Sequence, residues 1–469
     1  MRQLVPGATI DGFTLTEKLP SGGMAALWKA SHPDHAETIV VKIPFLDPGA
    51  DASILIGYEV EEMIHKRLRG THVPRFIASG DLAHVPYVAM EFVTGTSLAE
   101  KAGAAPLPPE EVTRIGIAVA TALADLHGQK VVHLDLKPEN VILAQRGAVL
   151  LDFGLARHAE LPDLLGEESS VPMGTSAYIS PEQVLGERSD PASDVFALGC
   201  ILYQLATGEE PFGRPATFAG MKRRLYHAPR RPREANPAIP RWLEAIVMKC
   251  LEVDRSRRYA DADQLAFDLK HPDQVPLPKF ERAGAASWWQ KFAAMFRRPD
   301  DSQLVGPAST GRRSAGPSIV LVAVDLASGV DPLADEVRSE TARLLAARPD
   351  SRLACLTVLK TEIIGETKLA DETGRSIYLK RLVALRDWAR LLQLPDDRVS
   401  FHVLEAVSAA DAILRYAEQN RVGHIVVGAR SSSAFRRHLG SVSTKVVAEA
   451  RCSVSVVRLA DGRDEEAAG

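Results

Sequence analysis

Cysteine is scarce in this sequence and long apolar runs are missing. The four cysteines, Cys200, Cys250, Cys355 and Cys452, lie far apart in apolar surroundings with no CxxC pair. Buried thiols in a reducing compartment are therefore expected, not a disulfide framework. No uninterrupted apolar stretch reaches the roughly 18–20 residues that span a bilayer, so no transmembrane segment is expected. The opening Met-Arg-Gln-Leu-Val-Pro-Gly lacks the apolar core of a secretion signal, and a cytoplasmic location is the expectation. The formal net charge is only −4. General nucleic-acid binding usually needs a basic face, so no nucleic-acid partner is expected. Short-period repeats are absent as well.

Hydrophobic residues make up 46% and charged residues 25%, as in ordinary globular protein. A chain of 469 residues is too long for one core, and two or three domains are expected. Residues 8–93 alternate short β-branched runs with turns and contain one helical stretch, at 57–68. From 94 to 272 the text is mainly helical, with long periodic stretches at 112–127 and 195–207. Residues 273–316 are rich in Pro, Gly, Ser and Arg and read as a linker. Strand-like runs then alternate with helical ones: strands at 319–324, 353–359, 399–404, 424–428 and 453–457, with helices between them. That alternation predicts an α/β domain with a doubly wound parallel sheet over 317–460, followed by a tail at 461–469.

The most informative stretch is His133-Leu134-Asp135-Leu136-Lys137-Pro138-Glu139-Asn140, followed by Asp152-Phe153-Gly154. A carboxylate and an amide carbonyl stand five residues apart, and a second acid opens a Phe-Gly turn. Apolar runs at 131–132, 141–143 and 149–151 flank them, which puts the acids on loops at strand ends, where a rigid scaffold can aim them. Phosphoryl transfer from ATP needs such a set: one acid to receive a hydroxyl proton, and an Asn with another acid to hold magnesium on the phosphates. Upstream, Ile39-Val40-Val41-Lys42-Ile43 puts one Lys inside an apolar strand, a costly place for it without a partner.

These motifs resemble those of the eukaryotic-like Ser/Thr protein kinase family, in its bacterial branch. The resemblance implies a bilobal α+β kinase fold over residues 8–272, with a β-rich lobe at 8–93 and a helical lobe at 94–272. It implies an enzyme that moves the γ-phosphate of ATP, with Mg²⁺, to Ser or Thr hydroxyls of protein substrates. By resemblance Asp135 is the catalytic base, Lys137 touches the transferred phosphate, and Asn140 and Asp152 hold Mg²⁺. Lys42 pairs with ATP phosphates and with a Glu on the next helix. Glu61 is the choice for that Glu, because Ile64 and Leu68 follow it at helical spacing; Glu59 and Glu62 stay open as alternatives. Met90 is the expected gatekeeper of the adenine slot, with the backbone of Glu91 and Val93 reading the adenine edge. Glu182, in Ser180-Pro181-Glu182, should pair with Arg258, and Asp194 should brace the catalytic loop from below.

Two departures from the family pattern matter. The phosphate-covering loop, Pro20-Ser21-Gly22-Gly23-Met24-Ala25, keeps only Gly22 of the three glycines expected at 20, 22 and 25. Pro20 stiffens its entrance, and Ala25 adds a methyl where backbone should approach phosphate. This motivates a rival reading, a catalytically weak scaffold that binds nucleotide without turning it over. The second departure is Leu134, where many relatives carry an Arg that meets an activation-loop phosphate. Ser169, Ser170 and Thr175 remain autophosphorylation candidates, though Thr175 is better placed to shape the substrate site. Without that Arg a loop phosphate lacks a main charge partner, so activity is expected to survive phosphatase treatment; loss of activity on dephosphorylation would refute this.

Residues 317–460 resemble the universal stress protein family, on the opening strand ending in Asp325, the strand–helix order, and the runs Val426-Val427-Gly428-Ala429-Arg430 and Leu439-Gly440-Ser441. Nucleotide-binding members wrap phosphates with a Gly-rich loop at a helix N-terminus, which makes Asp325, Gly428, Arg430, Gly440 and Ser441 a candidate second nucleotide site. The loop is altered, with Ser431 for its middle glycine, and a purely interacting or dimerising role stays open. Members often pair through their last strand, so 453–457 is a candidate homodimer edge. In the linker, aromatics recur at helical spacing over 287–298. A helix docked on a folded domain, a peripheral membrane contact and a partner-protein site compete there.

Overall fold

The computed structural model describes residues 4–46, 52–168, 171–277, 318–326, 331–361, 376–429 and 440–459. The first lobe is built on β1 (Thr9–Ile10), β2 (Phe13–Leu19), β3 (Ala25–His32), β4 (His35–Pro44), α1 (Ala52–His65), β5 (Phe76–Ser79) and β6 (Val88–Glu91). Its strands form an antiparallel sheet in the order β1-β2-β3-β4-β6-β5. In β4 the buried Ile39, Val41 and Ile43 alternate with Val40 and Lys42. Side chains of a strand point to opposite faces in turn, so the buried set packs with Phe13, Leu15 and Trp28 and Lys42 emerges on the other side. Helix α1 starts earlier than the expected 57, because Leu55, Ile56 and Tyr58 extend its buried face by a turn.

The second lobe contains β7 (Thr96–Ser97), α2 (Leu98–Gly103), α3 (Pro109–Gly128), β8 (Val131–Val132), β9 (Val141–Ala144), β10 (Gly147–Leu150), β11 (Arg157–His158), α4 (Leu164–Glu168), α5 (Pro181–Val184), α6 (Ala192–Thr207), α7 (Phe218–Lys222), α8 (Pro232–Ala235), α9 (Arg241–Cys250) and α10 (Ala262–Lys270). Pro109 opens α3 at the position where a missing N–H costs nothing. Val112, Ile115, Val119, Leu123 and Leu126 then recur at helical spacing and are buried. Helix α6 is buried on nearly all sides and ends at Gly208, whose φ of 78° lets its N–H reach Gln204 O, as left-handed C-caps do. Strand β8 pairs with β11, and β9 with β10, both antiparallel. The loops leaving β8 and β10 carry Asp135 and Asp152.

The C-terminal domain has β12 (Ile319–Ala323), α11 (Pro332–Ala347), β13 (Arg352–Lys360), α12 (Ile377–Arg390), β14 (Val399–Ala406), α13 (Ala409–Gln419), β15 (His424–Gly428), α14 (Ser441–Glu449) and β16 (Ser453–Val457). All its strands are parallel, in the order β14-β13-β12-β15-β16. Val320, Val322, Leu353 and Cys355 pack on one face with Leu333, Val337, Leu385 and Trp388. Leu321, Ala354, Leu356 and Ile425 pack on the other with Ile413, Tyr416 and Val446. Covering both faces is what a parallel sheet requires, and the doubly wound arrangement read from the sequence is the one observed.

The two domains dock on each other. Leu382 and Val403 of the C-terminal domain are buried in one apolar cluster with Leu55 and Tyr58 of α1. Beside it Glu167 of α4 lies 2.5 Å from Arg352 Nη2, and its Oε2 is 3.0 Å from His402 Nε2 and accepts from Tyr416 Oη at 2.9 Å. Burial alone would push the His402 imidazole down, but the carboxylates of Glu167 and Glu168 outweigh it and raise it to about 9. Glu167 is held at about 2 against burial by His402 and Arg352. A raised base stabilises the docked state fully below its ordinary value of 6.5 and loses that contribution as pH climbs through about 9. The melting temperature of the wild type should therefore exceed that of His402→Gln most clearly near pH 6, and the gap should close by pH ~9–10. Thermal scans of both proteins across that range check it; a gap that widens at high pH would contradict the assignment.

Candidate active site

Helix α1 and strand β4 bring two distant charges together. Glu61 Oε2 lies 2.8 Å from Lys42 Nζ, and the same ammonium donates to Asp152 Oδ1 at 2.9 Å. Burial alone would push the Lys42 ammonium down; Asp152 and Glu61 outweigh it, and its pKa is raised. Burial would likewise push Asp152 up, yet Lys42 holds that carboxyl down at about 2. The Lys stays charged and the Asp ionised. The other two acids open on α1 go elsewhere: Glu62 pairs with Lys66 at 2.7 Å and accepts from Ser79 Oγ, while Glu59 is buried and meets Arg386 of the C-terminal domain.

The catalytic-loop geometry is over-determined. Leu134 and Asp152 have φ of 62° and 63°, a left-handed backbone that Asp tolerates better than Leu. Such strain costs on the order of 1–3 kcal/mol and persists only where neighbours hold it. Leu134 N–H donates to Asp194 Oδ1 at 2.9 Å, and its carbonyl accepts from Gln183 Nε2 at 2.7 Å. Asp194 Oδ2 takes the N–H of His133 at 2.8 Å and lies 2.9 Å from His127 Nε2. Asp194 therefore sits beneath the loop and fixes two consecutive amides.

Asp135 is aimed by its own set of donors. Its Oδ1 accepts from Thr175 N at 2.9 Å and Thr175 Oγ1 at 2.7 Å, and its Oδ2 from Lys137 Nζ at 2.8 Å. Lys137 also donates to Thr175 Oγ1 at 3.2 Å. Asn140 Nδ2 donates to Asp135 O at 2.9 Å, which turns the amide oxygen to the opposite side. The ring of Phe153 lies between His133, centroids 5.5 Å apart, and His65, 5.6 Å, and His65 in turn meets Phe76 at 5.8 Å. Sequence reading did not single out His65, although it stands one helical turn after Glu61 on the same face. Its Nε2 lies 2.7 Å from Pro74 O.

At the mouth of the cleft Pro20, Ser21, Gly22 and Gly23 are exposed, and Met24 is 62% exposed. A Cβ at Gly22 or Gly23 would meet nothing within 4 Å. Ala25 is buried at the start of β3, opposite Pro44. Met90 is buried on β6. The N–H of Glu91 is committed to Arg75 O at 3.0 Å, and its carboxylate pairs with Arg146 at 2.7 Å; Val93 is half-buried beyond it. Below, Arg258 grips Glu182 with two bonds of 2.7 and 2.8 Å.

In the C-terminal domain Asp325 is exposed just past β12. A Cβ on Gly428 would fall 3.0 Å from Leu333 Cδ2, so the packing of α11 on β15 explains that glycine without a phosphate. Gly440 caps α14, which opens at Ser441. Arg430, like Ser169, Ser170 and the segment 287–298, lies outside the described residues. Strand β16 is an edge of its sheet. Among the described residues no helix is long and apolar enough to cross a membrane.

Both domains resemble known protein families. Residues 13–269 match the model of the protein kinase domain, and residues 318–458 that of the universal stress protein family. The chain is 31% identical over 264 residues to the probable serine/threonine-protein kinase SCO3848 of Streptomyces coelicolor, covering 55% of this chain and 39% of that one. It is 32% identical over 269 residues to serine/threonine-protein kinase pkn2 of Myxococcus xanthus, covering 55% and 32%. The chain thus spans well under half the length of these relatives. The crystal structure of the Mycobacterium tuberculosis PknI kinase domain is similar at 24% identity and a TM-score of 0.47, over 58% of this chain and 100% of that one. With its kinase model matched from 13 to 269, the chain belongs to the protein kinase family and carries a universal stress protein domain behind it.

Proposed function

We propose that this protein is a Ser/Thr protein kinase that transfers the γ-phosphate of ATP to protein hydroxyls with the help of Mg²⁺. The observation that carries the reading is the closed chain of charge from Glu61 through Lys42 to Asp152, next to an Asp135 held by Thr175 and Lys137. Two of these groups are held in the charge state the chemistry needs. Lys42 keeps its positive charge for the phosphates, and Asp152 keeps its negative charge for a metal ion. The donor set, an ionised carboxylate and an amide oxygen, suits a hard cation. Asp152 and Asn140 would hold Mg²⁺, which neutralises charge developing on the phosphates. Asp135 receives the proton of the attacking hydroxyl, while Lys137, beside it, offsets negative charge on the moving group. The adenine edge would be read by the Glu91 carbonyl and the Val93 backbone.

The test is incorporation of label from γ-labelled ATP into a generic basic protein, with Asp135→Asn as the blank. Label in the wild-type reaction and not in the blank supports the enzyme; equal incorporation by both, or none by either, leaves the rival scaffold reading. For the C-terminal domain the same reading assigns a nucleotide-reporting or dimerising role. Titration of the full chain with ATP should show a second binding event if its nucleotide site is real, and one event if it is not.

A further inference from the structure

Two parts of a kinase domain must be ordered before its charges line up: the helix that carries Glu61, and the segment between Asp152 and Glu182. Both are held here from outside the kinase domain. On α1, Glu59 and Glu61 are two residues apart and so project to opposite sides of the helix. Glu61 is drawn inward by Lys42, and Glu59, 3% exposed, is drawn outward by Arg386 of α12. Leu55 and Tyr58 of the same helix share their apolar cluster with Leu382 and Val403. On α4, which lies in the activation segment, the carboxylate of Glu167 is 7% exposed and meets Arg352, His402, Tyr416 and Ser400. Glu168 lies 3.3 Å from His402 Nδ1, and Asn420 donates to the Glu167 carbonyl at 3.1 Å.

We propose that the C-terminal domain is a built-in activator of the kinase domain, clamping α1 and α4 in the arrangement in which Glu61 meets Lys42. This rests on the kinase reading above. Leu134 leaves the catalytic loop without a guanidinium for an anion on the activation segment. Arg352 supplies a guanidinium from the other domain instead, and Glu167 supplies the anion it meets. Removing either partner strands the other as a buried charge, so α4 is held when the domain is docked and released when it is not. The sign of the effect follows from the geometry. In the docked state Lys42 and Glu61 are 2.8 Å apart, Phe153 lies between His65 and His133, and Thr175 holds Asp135. An inhibitory clamp would hold these apart.

The full chain is tested as wild type, Arg386→Glu, Arg352→Met, and the charge-swapped Glu59→Arg with Arg386→Glu. Phosphate transfer to a basic protein and hydrogen exchange of α1 and α4 are measured on each. Coupling between sites commonly amounts to 5–150-fold. Arg386→Glu and Arg352→Met should each lose about tenfold or more in kcat, with faster exchange in α1 and α4, and the charge swap should recover most of the first loss. A kcat that is unchanged or higher in Arg386→Glu, with its melting transition retained, overturns the activator. So does a swap that fails to recover activity while its α1 exchange returns to the wild-type rate. A wild type that transfers no phosphate sinks the kinase reading itself, a result separate from either of these.

Discussion

Replacing Asp135 by Asn lowers phosphate transfer by about 10²–10⁴-fold while ATP binding stays close to that of the wild type. The range is the usual worth of a positioned proton acceptor. Asn is nearly the same shape, and its amide oxygen can keep the bonds that Thr175 N and Oγ1 make to Asp135 Oδ1 at 2.9 and 2.7 Å. What it cannot do is take a proton, and it leaves Lys137 without the anion now 2.8 Å away. The loss should therefore fall on kcat, with the KM for ATP little changed, because Lys42, Glu61 and Asp152 are untouched. Initial rates across an ATP series decide this. A rise in the KM for ATP alongside the fall in kcat would mean that Asp135 mainly organises the nucleotide, and a rate equal to the wild type would remove it from the chemistry.

The second large effect concerns the frame, not the reaction. Arg258→Met should destabilise the kinase domain by about 3–5 kcal/mol, the usual result of stranding one member of a buried ion pair. Arg258 and Glu182 side chains are 0% and 1% exposed, and their bond is bidentate. Arg258 also ties Ala192 O and Val253 O to the same guanidinium. Burial alone would push Glu182 up, but Arg258 and Ser193 hold it below the usual carboxylate range; stranded, it must either bury a charge or take a proton. For a lobe of this size the melting transition should drop by roughly 6–20 °C. The double variant Glu182→Leu with Arg258→Met should recover part of the loss, since no charge is then left buried. Denaturation curves of the three proteins test the argument, and a single variant as stable as the wild type would refute it. Per folded molecule, phosphate transfer should change far less than in Asp135→Asn.

Much of the kinase domain could be read in advance because its chemistry is local. Asp135, Lys137 and Asn140 lie within six residues on one loop, and Asp152-Phe153-Gly154 follows after one hairpin. Those spacings are set by strand ends and leave little freedom. Glu61 could be preferred over Glu59 and Glu62 because Ile64 and Leu68 mark the inward face of its helix, and the structure brings it to 2.8 Å from Lys42. The alternation of apolar strand runs with helical stretches beyond residue 318 likewise carried the parallel sheet, whose two buried faces are now seen as separate clusters. His65 went unremarked because a His among apolar residues carries no motif; its value lies in its contacts with the rings of Phe76 and Phe153.

The docking contacts were invisible for a different reason. Glu59 stands in the sequence only as an alternative to Glu61, and no motif marks Glu167, Arg352, Arg386 or His402. Their partners lie 185 to 327 residues away along the chain, and no spacing rule connects such positions. What the order of amino acids determined by itself was therefore every feature fixed by neighbours along the chain: the strand and helix order of both domains, the loop that carries the acids, and the Lys that needs a counter-charge. Only the tertiary structure decided that Glu167 is a buried anion and that a second domain grips the helix behind Glu61. Burial of a charge depends on which surface covers it, and that surface comes from residues hundreds of positions further on.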